Sequence, residues 1–253
     1  MLEYSILCVA ALFAGLVDAV VGGGGLIQLP ALFAAFPGTA PATLFGTSKF
    51  AGVFGTGAAA INYAKLVKVE WGAAIPAAMA AFVFAFLGAF AVTHLPGDYL
   101  RKLLPFILVV VALYTFHKKD LGKLHAPKHT GSRERITAIA VGMSIGFYDG
   151  FFGPGTGSVL VFLFVRFFGF DFLSASAVAK VVNVACNLAA LLWFGYSGHV
   201  MWQLGALMAV SNIAGSLIGS RLAIRNGSEF VRKVFLVVVL ALIGKTGWDA
   251  FIR

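Results

Sequence analysis

Charged residues are scarce in this sequence. Only 11% of its 253 residues are charged, whereas 60% are hydrophobic. A soluble domain carries about 25% charged residues, so the composition excludes an ordinary soluble protein and favours one surrounded by lipid. Several apolar runs approach the ~20 residues that a helix needs to cross a bilayer. These runs are continuously apolar rather than alternating, which argues against a β-barrel.

Acidic residues and cysteines are also few. The chain has 10 Asp and Glu against 19 Lys and Arg, for a net charge of +9. Most of the positive charge falls in short loops, where it marks membrane topology, so we expect no nucleic-acid partner. The two cysteines, Cys8 and Cys186, lie in separate apolar segments, so we expect no disulfide, metal or cofactor. Residues 1–4 lack the basic start of a cleavable signal peptide, and the first apolar segment is therefore expected to remain.

One glycine-rich stretch occurs twice. Asp18 precedes the run Gly22–Gly25, and Asp149, 131 residues further on, precedes Gly153-Pro154-Gly155-Thr156-Gly157. Other residues match at the same offset: Gly15 and Gly146, Gly38 and Gly169, Lys49 and Lys180, Trp71 and Trp202, Gly88 and Gly219, Arg101-Lys102 and Arg232-Lys233. The sequence therefore predicts two copies of one unit, each with a broken helix near its start.

The apolar pattern divides each unit into five helical segments. In the first unit they are 4–21, 26–36, 42–63, 71–94 and 103–116; in the second they are 136–152, 157–168, 173–194, 202–224 and 231–248. We predict repeat 1 over 1–117, a basic cytoplasmic linker over 118–135 and repeat 2 over 136–253, forming one membrane domain.

The second segment of each unit is too short to span a bilayer. Eleven residues extend about 17 Å, against roughly 30 Å of hydrocarbon. It is best interpreted as the return arm of a re-entrant hairpin, shielded from lipid because irregular backbone needs protein or water around it. The predicted fold is an all-α membrane protein in which each repeat has a glycine-rich hairpin followed by three transmembrane helices, about eight segments in the usual count.

Loop charge favours an inverted arrangement of the two repeats. If the hairpins do not cross, thirteen basic residues lie on one side: Lys65, Lys68, Lys118, Lys119, Lys123, Lys128, Arg133, Arg135, Arg166, Arg221, Arg225, Arg232 and Lys233. Arg101, Lys102 and Arg253 lie on the other. If the hairpins cross, the repeats are parallel and the split is about nine to seven. The positive-inside rule favours the inverted model, with both termini outside, as in many secondary transporters.

The glycine breaks are candidate anion sites. A helix that begins inside the membrane presents free N–H groups and the positive end of its dipole, and glycine lets a ligand approach the backbone closely. Close helix packing is the alternative role for these glycines. A phosphate-binding P-loop is excluded, since no Gly-Lys-Ser/Thr follows.

Lys49 and Lys180 are charged residues inside apolar segments, where such residues usually face a cavity; snorkelling to the interface is the alternative. Ser176, Lys180, Asn183 and Asn187 share one helix stripe, and Thr47, Lys49 and Thr56 form a poorer one. The predicted substrate-binding residues are Gly22, Gly23, Gly24, Gly25, Gln28, Thr47, Lys49, Gly153, Gly155, Thr156, Gly157, Ser158, Lys180, Asn183 and Asn187.

Asp18 and Asp149 are the carboxylates well inside apolar segments. Such a group can carry a proton that couples transport to a proton gradient. It can equally pair with the lysine of its own or the opposite unit, or cap the second arm of its hairpin. The sequence leaves both roles open.

The Gly-x-x-Asp-x-x-x-Gly-Gly-Gly-Gly break at 15–25, its repeated counterpart and the glycine-rich fourth helix of each unit resemble the TauE/SafE sulfite exporter family. The resemblance covers nearly the whole chain. It implies a bacterial inner-membrane transporter of sulfite, organosulfonates or related sulfur-containing anions. The second copy departs from the glycine run at Pro154 and Thr156, so we expect two non-equivalent half-sites.

The residues predict a secondary transporter of a small anion that works by alternating access, with proton coupling as an option, and the resemblance implies that the anion contains sulfur and is exported. A homo-oligomer is compatible with the sequence. A passive anion channel of the same architecture is the main alternative. An intramembrane enzyme would need a catalytic constellation, which the sequence does not offer, and a sensor or scaffold would not need duplicated intramembrane Lys and Asp.

Overall fold

The computed structural model describes residues 2–95 and 131–252, and within them the chain is helical with no strand. The predicted segment 103–116 and linker residues 118–130 lie outside the described residues. The helices are α1 Leu2–Val21, α2 Gly25–Ala35, α3 Pro41–Leu66, α4 Trp71–Thr93, α5 Ser132–Phe151, α6 Thr156–Leu163, α7 Phe172–Tyr196 and α8 Trp202–Ile252. A π-helical turn, Phe164–Phe168, continues α6.

The predicted all-helical membrane class is confirmed in this part of the chain. Four stretches are long and apolar enough to cross a membrane: Glu3–Val21, Trp71–Thr93, Phe172–Tyr196 and Trp202–Val234. The arms that follow the glycine breaks, Gly25–Ala35 and Thr156–Phe168, are apolar but shorter, as the sequence predicts. All eight residues of α6 are buried, so protein surrounds the arm that follows the second glycine break.

One helix begins earlier than predicted. α5 begins at Ser132 rather than at 136, because the polar turn Ser132-Arg-Glu-Arg135 extends the helix beyond its apolar part. The predicted break between segments 202–224 and 231–248 is confirmed as a kink within α8 at Gly227, which has the non-helical angles φ 73° and ψ −173°. Apolar content therefore marks where a helix meets the hydrophobic environment, not where its hydrogen bonding ends.

Small residues bring helices of the two repeats close together. α4 packs on α5, where Gly142, Gly146 and Gly150 face the backbone of Ala77, Ala81 and Ala85. α1 packs on α8, where Gly215 and Gly219 face the carbonyls of Leu12 and Leu16. Glycine and alanine at such positions allow close approach of membrane helices. Each repeat thus packs its first helix on the fourth helix of the other.

These contacts fix the helix directions. α1 and α8 run in parallel, as do α4 and α5, because contacting residues advance together along both chains. α3 also runs parallel to α8, since Asn62 Nδ2 donates to Ser220 Oγ at 2.9 Å and Phe50 contacts Gly205.

α7 runs antiparallel to α3. The start of α3 lies beside the end of α7, where a Cβ on Gly46 would be 2.8 Å from Phe194 Cβ. The ends of α4 and α7 lie together, since Trp193 Nε1 donates to Thr93 Oγ1 at 2.9 Å. Helices α1, α3 and α8 therefore point one way, and α4, α5 and α7 point the other.

Candidate functional site

The two glycine breaks meet inside the protein. Gly22, from the first break, packs backbone against backbone on Gly157, from the second. Ser158 Oγ donates a hydrogen bond to Gly22 O at 3.0 Å. A Cβ on Gly25 would lie 3.4 Å from Pro154 Cα. Residues more than a hundred positions apart in the sequence thus form one central junction.

Left-handed glycine conformations produce both breaks. Gly22 and Gly23 have φ values of 78° and 98°, and Gly153 and Gly155 have φ values of 90° and 81°. A residue with a side chain rarely adopts such angles, so glycine is required where one helix stops and the next begins at once. The result is that α2 and α6 both begin at the junction.

Two buried ion pairs join the repeats across this junction. Lys49 Nζ lies 2.5 Å from Asp149 Oδ2, and both residues are buried. Lys180 Nζ lies 3.2 Å from Asp18 Oδ2 and also donates to the Asp18 carbonyl. Each carboxylate thus pairs with the lysine of the opposite repeat, which is one of the arrangements that the sequence left open.

The two pairs differ in their surroundings. Asp18 also accepts from Thr56 Oγ1 at 3.1 Å and, through Oδ1, from the N–H of Gly24 at 3.5 Å. Asp18 therefore also makes a long contact with the residue that precedes α2. Within the described chain, Asp149 accepts a side-chain hydrogen bond from Lys49 alone. Lys180 is completely buried. The Asp18 pair is consequently the more fully bonded.

A cavity of about 50 Å³ lies at the junction. A single water needs at least ~10–15 Å³ of such space, so the cavity can hold several waters or one small ion. Its lining is mostly polar and comprises Asp18, Gly23, Gly24, Gly25, Gln28, Leu29, Phe45, Ser48, Lys49, Gly52, Thr56, Asp149, Phe152, Gly153, Gly155, Thr156, Gly157, Asn183, Asn187 and Asn212.

The structure brings most of the predicted site residues to this cavity. Eleven predicted binding residues line it: Gly23, Gly24, Gly25, Gln28, Lys49, Gly153, Gly155, Thr156, Gly157, Asn183 and Asn187. So do both predicted proton-coupling candidates, Asp18 and Asp149. Four predicted binding residues do not line the cavity.

These four residues have other contacts. Gly22 and Ser158 form the contact between the breaks, and Lys180 lies behind Asp18. Thr47 lies away from the cavity, where its hydroxyl donates to Thr43 O at 2.7 Å and accepts from the N–H of Met201 at 3.0 Å. Thr47 thereby connects α3 to the start of α8.

Asn212 lines the cavity but was not among the predicted site residues. Its Nδ2 donates to Gln28 Oε1 at 3.0 Å and to Ala11 O at 3.1 Å. Asn212, Ser216 and Ser220 recur every four residues along α8 and are all buried, so they share one helix face. This polar stripe in an apolar helix is the sequence pattern that indicates Asn212 as a cavity residue.

Hydrogen-bond donors line the cavity in addition to the charged side chains. The amides of Asn183 and Asn187 face it, and the N–H of Gly157, in the first turn of α6, has no acceptor among the described residues. The positive end of the α6 dipole lies at the same place. In the part of the chain that the structure describes, no three His, Cys, Asp or Glu residues cluster as metal ligands. The start of α6 is therefore a candidate anion site, since free N–H groups at a helix N-terminus bind anions in many proteins.

Sequence comparison relates the chain to known membrane proteins. The model of the family described as "Sulfite exporter TauE/SafE" matches residues 7–246. A probable membrane transporter protein, ORF9, of Sinorhizobium sp is 38% identical over 236 residues, covering 93% of this chain and 89% of that protein. The probable membrane transporter protein YfcA of Escherichia coli K12 is 33% identical over 245 residues, covering 97% and 90%.

A probable membrane transporter protein of Haemophilus influenzae is 29% identical over 249 residues, covering 97% of this chain and 94% of that protein. No solved structure matches the chain. The family match spans both glycine breaks, both ion pairs and every residue that lines the cavity. The chain is therefore a membrane transporter that belongs to the TauE/SafE sulfite exporter family.

Proposed function

We propose that this protein exports small sulfur-containing anions, such as sulfite or organosulfonates, across the bacterial inner membrane by alternating access coupled to protons. The observation that carries the proposal is the buried cavity between the glycine breaks, where Lys49 lies beside Asn183, Asn187 and the start of α6. The sulfur chemistry and the direction follow the family's description as a sulfite exporter.

The cavity matches its proposed substrate in polarity. Sulfite and a small sulfonate carry their charge on oxygens, each of which accepts several hydrogen bonds. Amide Nδ2 groups, hydroxyls and backbone N–H groups are the donors such oxygens need. Lys49 supplies the charge-assisted hydrogen bond, which is shorter and stronger than a neutral one.

The directions of the helices support an inverted repeat and, with it, alternating access. The equivalent helices α1 and α5, α3 and α7, and α4 and α8 each point in opposite directions, as their contacts indicate. The first helix of each repeat packs on the fourth helix of the other. In transporters with this plan, one repeat rocks against the other around a fixed site.

The charge distribution supports an orientation with both termini outside. The hydrogen bond between Asn62 and Ser220 places Lys65 and Arg221 at the same end of the bundle. Gly72, just after α3, lies near the Glu134 carboxylate at the start of α5, so Arg133 belongs to that end too. This basic end faces the cytoplasm under the positive-inside rule. A reporter fused after Arg253 is expected to be active on the outside.

Transport into proteoliposomes tests the function. The purified protein is reconstituted and given sulfite, thiosulfate, sulfate and methanesulfonate, each with and without an imposed pH gradient. We expect flux of sulfite or a sulfonate that responds to the gradient, and its loss on Lys49→Ala. Asn226→Ala is the matched control, since Asn226 is exposed and bonds only within α8.

Two outcomes would contradict the proposal. Fast flux that ignores an opposing proton gradient would identify a passive anion channel of the same architecture. Unchanged flux in both Lys49→Ala and Lys180→Ala would show that the anion does not bind at this junction.

A further inference from the structure

We propose that the two ion pairs have different roles: the anion displaces Asp149 from Lys49, a proton on Asp149 enters with the anion, and the Lys180–Asp18 pair stays intact. This inference rests on the proposed function and assigns the coupling residue within it. It makes Lys49 and Asp149 an exchange pair, and Lys180 and Asp18 a structural pair.

Charge balance requires a partner for the anion. As paired, Lys49 cancels Asp149 and Lys180 cancels Asp18, so the junction is neutral. A monoanion added to this neutral, buried site would be an uncompensated charge in a low-dielectric interior, which is costly. A proton taken up by one of the two carboxylates restores neutrality.

The contacts identify Asp149 as the carboxylate that takes the proton. Its side chain has a single side-chain donor among the described residues, Lys49, and both residues line the cavity. Asp18 is held by Lys180, by Thr56 and weakly by Gly24 N–H. All three of these donors stabilise the charged form of Asp18, so its protonation would disrupt more bonds.

Lys49 is likewise the lysine that can exchange partners. It lines the cavity, and a Cβ on Gly153 would lie 2.8 Å from its Nζ, so this ammonium sits at the second break. Lys180 is completely buried and holds both the carboxylate and the carbonyl of Asp18. An anion in the cavity therefore reaches Lys49 directly and Lys180 only by removing Asp18.

Few other groups face Asp149. Lys49 comes from α3 and Cys186 from α7, while Tyr148 precedes Asp149 on α5 and bonds instead to Pro154 O. The packed helices α4 and α6 contain no ionisable residue over Trp71–Thr93 and Thr156–Leu163. Across the cavity stands Asp18, which is already paired with Lys180 behind it.

The exchange balances at each atom. The Lys49 Nζ–H donates to an oxygen of the anion instead of to Asp149 Oδ2, and the freed carboxylate binds one proton from solvent. Lys49 keeps its charge throughout. The bound site holds one anion and one additional proton, so each transport cycle moves the two in the same direction. Export is then driven by a higher concentration of the anion inside the cell, and an imposed proton gradient changes the rate of flux.

Calorimetry of anion binding tests this assignment. Methanesulfonate is the probe, because it carries a single charge, remains ionised at every relevant pH and cannot itself take up the proton; ethanesulfonate, also a monoanion, is the second probe. Titrating the full-length protein in detergent, in buffers with different ionisation enthalpies, counts the protons absorbed. We expect about one proton per anion and, by linkage, a Kd that increases about tenfold per pH unit wherever Asp149 is ionised in the free protein and protonated in the complex.

Asp149→Asn tests whether Asp149 takes up the proton, because the neutral amide of asparagine mimics the protonated carboxylate. This variant is expected to bind methanesulfonate with no proton uptake and no pH dependence. Asp171→Asn, outside the junction, is the control. It is expected to absorb as many protons per bound anion as the wild-type protein does. Wild-type binding without proton uptake, or uptake that persists in Asp149→Asn, would overturn this inference and leave the proposed function unaffected. Uptake lost in Asp18→Asn but kept in Asp149→Asn would assign the proton to Asp18. A chain that binds neither probe would overturn the proposed function itself.

Discussion

Gly22 and Gly157, one from each glycine break, touch backbone to backbone at the centre of the protein. The contact leaves no room for a side chain on either residue, since a Cβ on Gly157 would lie 2.6 Å from Gly22 Cα. The two hairpins that the sequence repeats thus form one structural unit, and each break depends on the other for its position.

Alanine at either glycine is expected to destabilise the protein strongly. Gly22 has φ 78°, and a side chain there costs about 1–2 kcal/mol in backbone strain. Overpacking of the closed contact adds about 1–3 kcal/mol. Thermal unfolding of Gly22→Ala and Gly157→Ala in detergent measures the loss. Gly57→Ala is the control, because Gly57 is helical and its Cβ would meet nothing within 4 Å; equal stability of all three variants would contradict the packing argument.

Removal of Lys180 is expected to cost more than removal of an ordinary surface charge. Lys180→Met leaves Asp18 buried without its cation, and breaking a buried pair in this way costs about 3–5 kcal/mol. The double variant Lys180→Met with Asp18→Asn removes both charges and should recover part of the loss. The unfolding midpoints of the single and the double variant, each compared with the wild-type protein, measure the loss and the recovery. A double variant less stable than Lys180→Met would show that the charges do not stabilise each other.

The sequence could predict the hairpins, because glycine placement and segment length are local features. It could also predict that Lys49, Asp149 and Asn187 face a polar centre, since polar residues in apolar helices seldom face lipid. Which lysine pairs with which carboxylate depends on how the repeats cross, and no local pattern records that. Lys49 and Asp149 belong to different repeats and lie 2.5 Å apart only because the breaks meet.

Thr47 and Asn212 show the limits of the repeat as a guide. Thr47 lies two residues before Lys49, yet it points to Met201 at the start of α8 rather than to the cavity. Asn212 has no polar counterpart in the first repeat, where Ala81 occupies the equivalent position. The repeat therefore does not indicate Asn212, although Asn212 contacts Gln28 directly.

Asp171 caps α7 and is expected to give a pH-dependent contribution to stability. Its Oδ1 accepts from the N–H groups of Leu173 and Ser174 and from Ser228 Oγ, and its Oδ2 accepts from Ser174 Oγ. Burial acts to raise the pKa of the Asp171 carboxyl, but these hydrogen bonds outweigh it, so the pKa lies below its usual value. The stabilisation is present above the unfolded-state pKa of about 3.9 and is lost as pH falls through the lower, folded-state pKa.

Asp171→Ala tests this cap. We expect a loss of about 0.5–2 kcal/mol near neutral pH, which shrinks as the solution is acidified below about pH 4. Asp171→Asn keeps an acceptor for the helix N–H groups and should lose less stability at neutral pH. Chemical unfolding at several pH values compares the three proteins. A deficit in Asp171→Ala that stays constant down to the lowest pH would contradict the role of the ionised carboxylate.

Gly153→Ala is expected to impair transport through Lys49. A Cβ at this position would lie 2.8 Å from Lys49 Nζ, so the ammonium must move, and the residue has φ 90°. We expect sulfite flux in proteoliposomes to fall about tenfold, equivalent to ~1.4 kcal/mol of lost interaction with the anion. Gly198→Ala is the matched control: Gly198 also has a left-handed φ, 75°, but its Cβ would meet nothing within 4 Å. If both variants lose flux equally, backbone strain rather than the displaced ammonium explains the effect; if only Gly153→Ala does, the position of Lys49 limits transport.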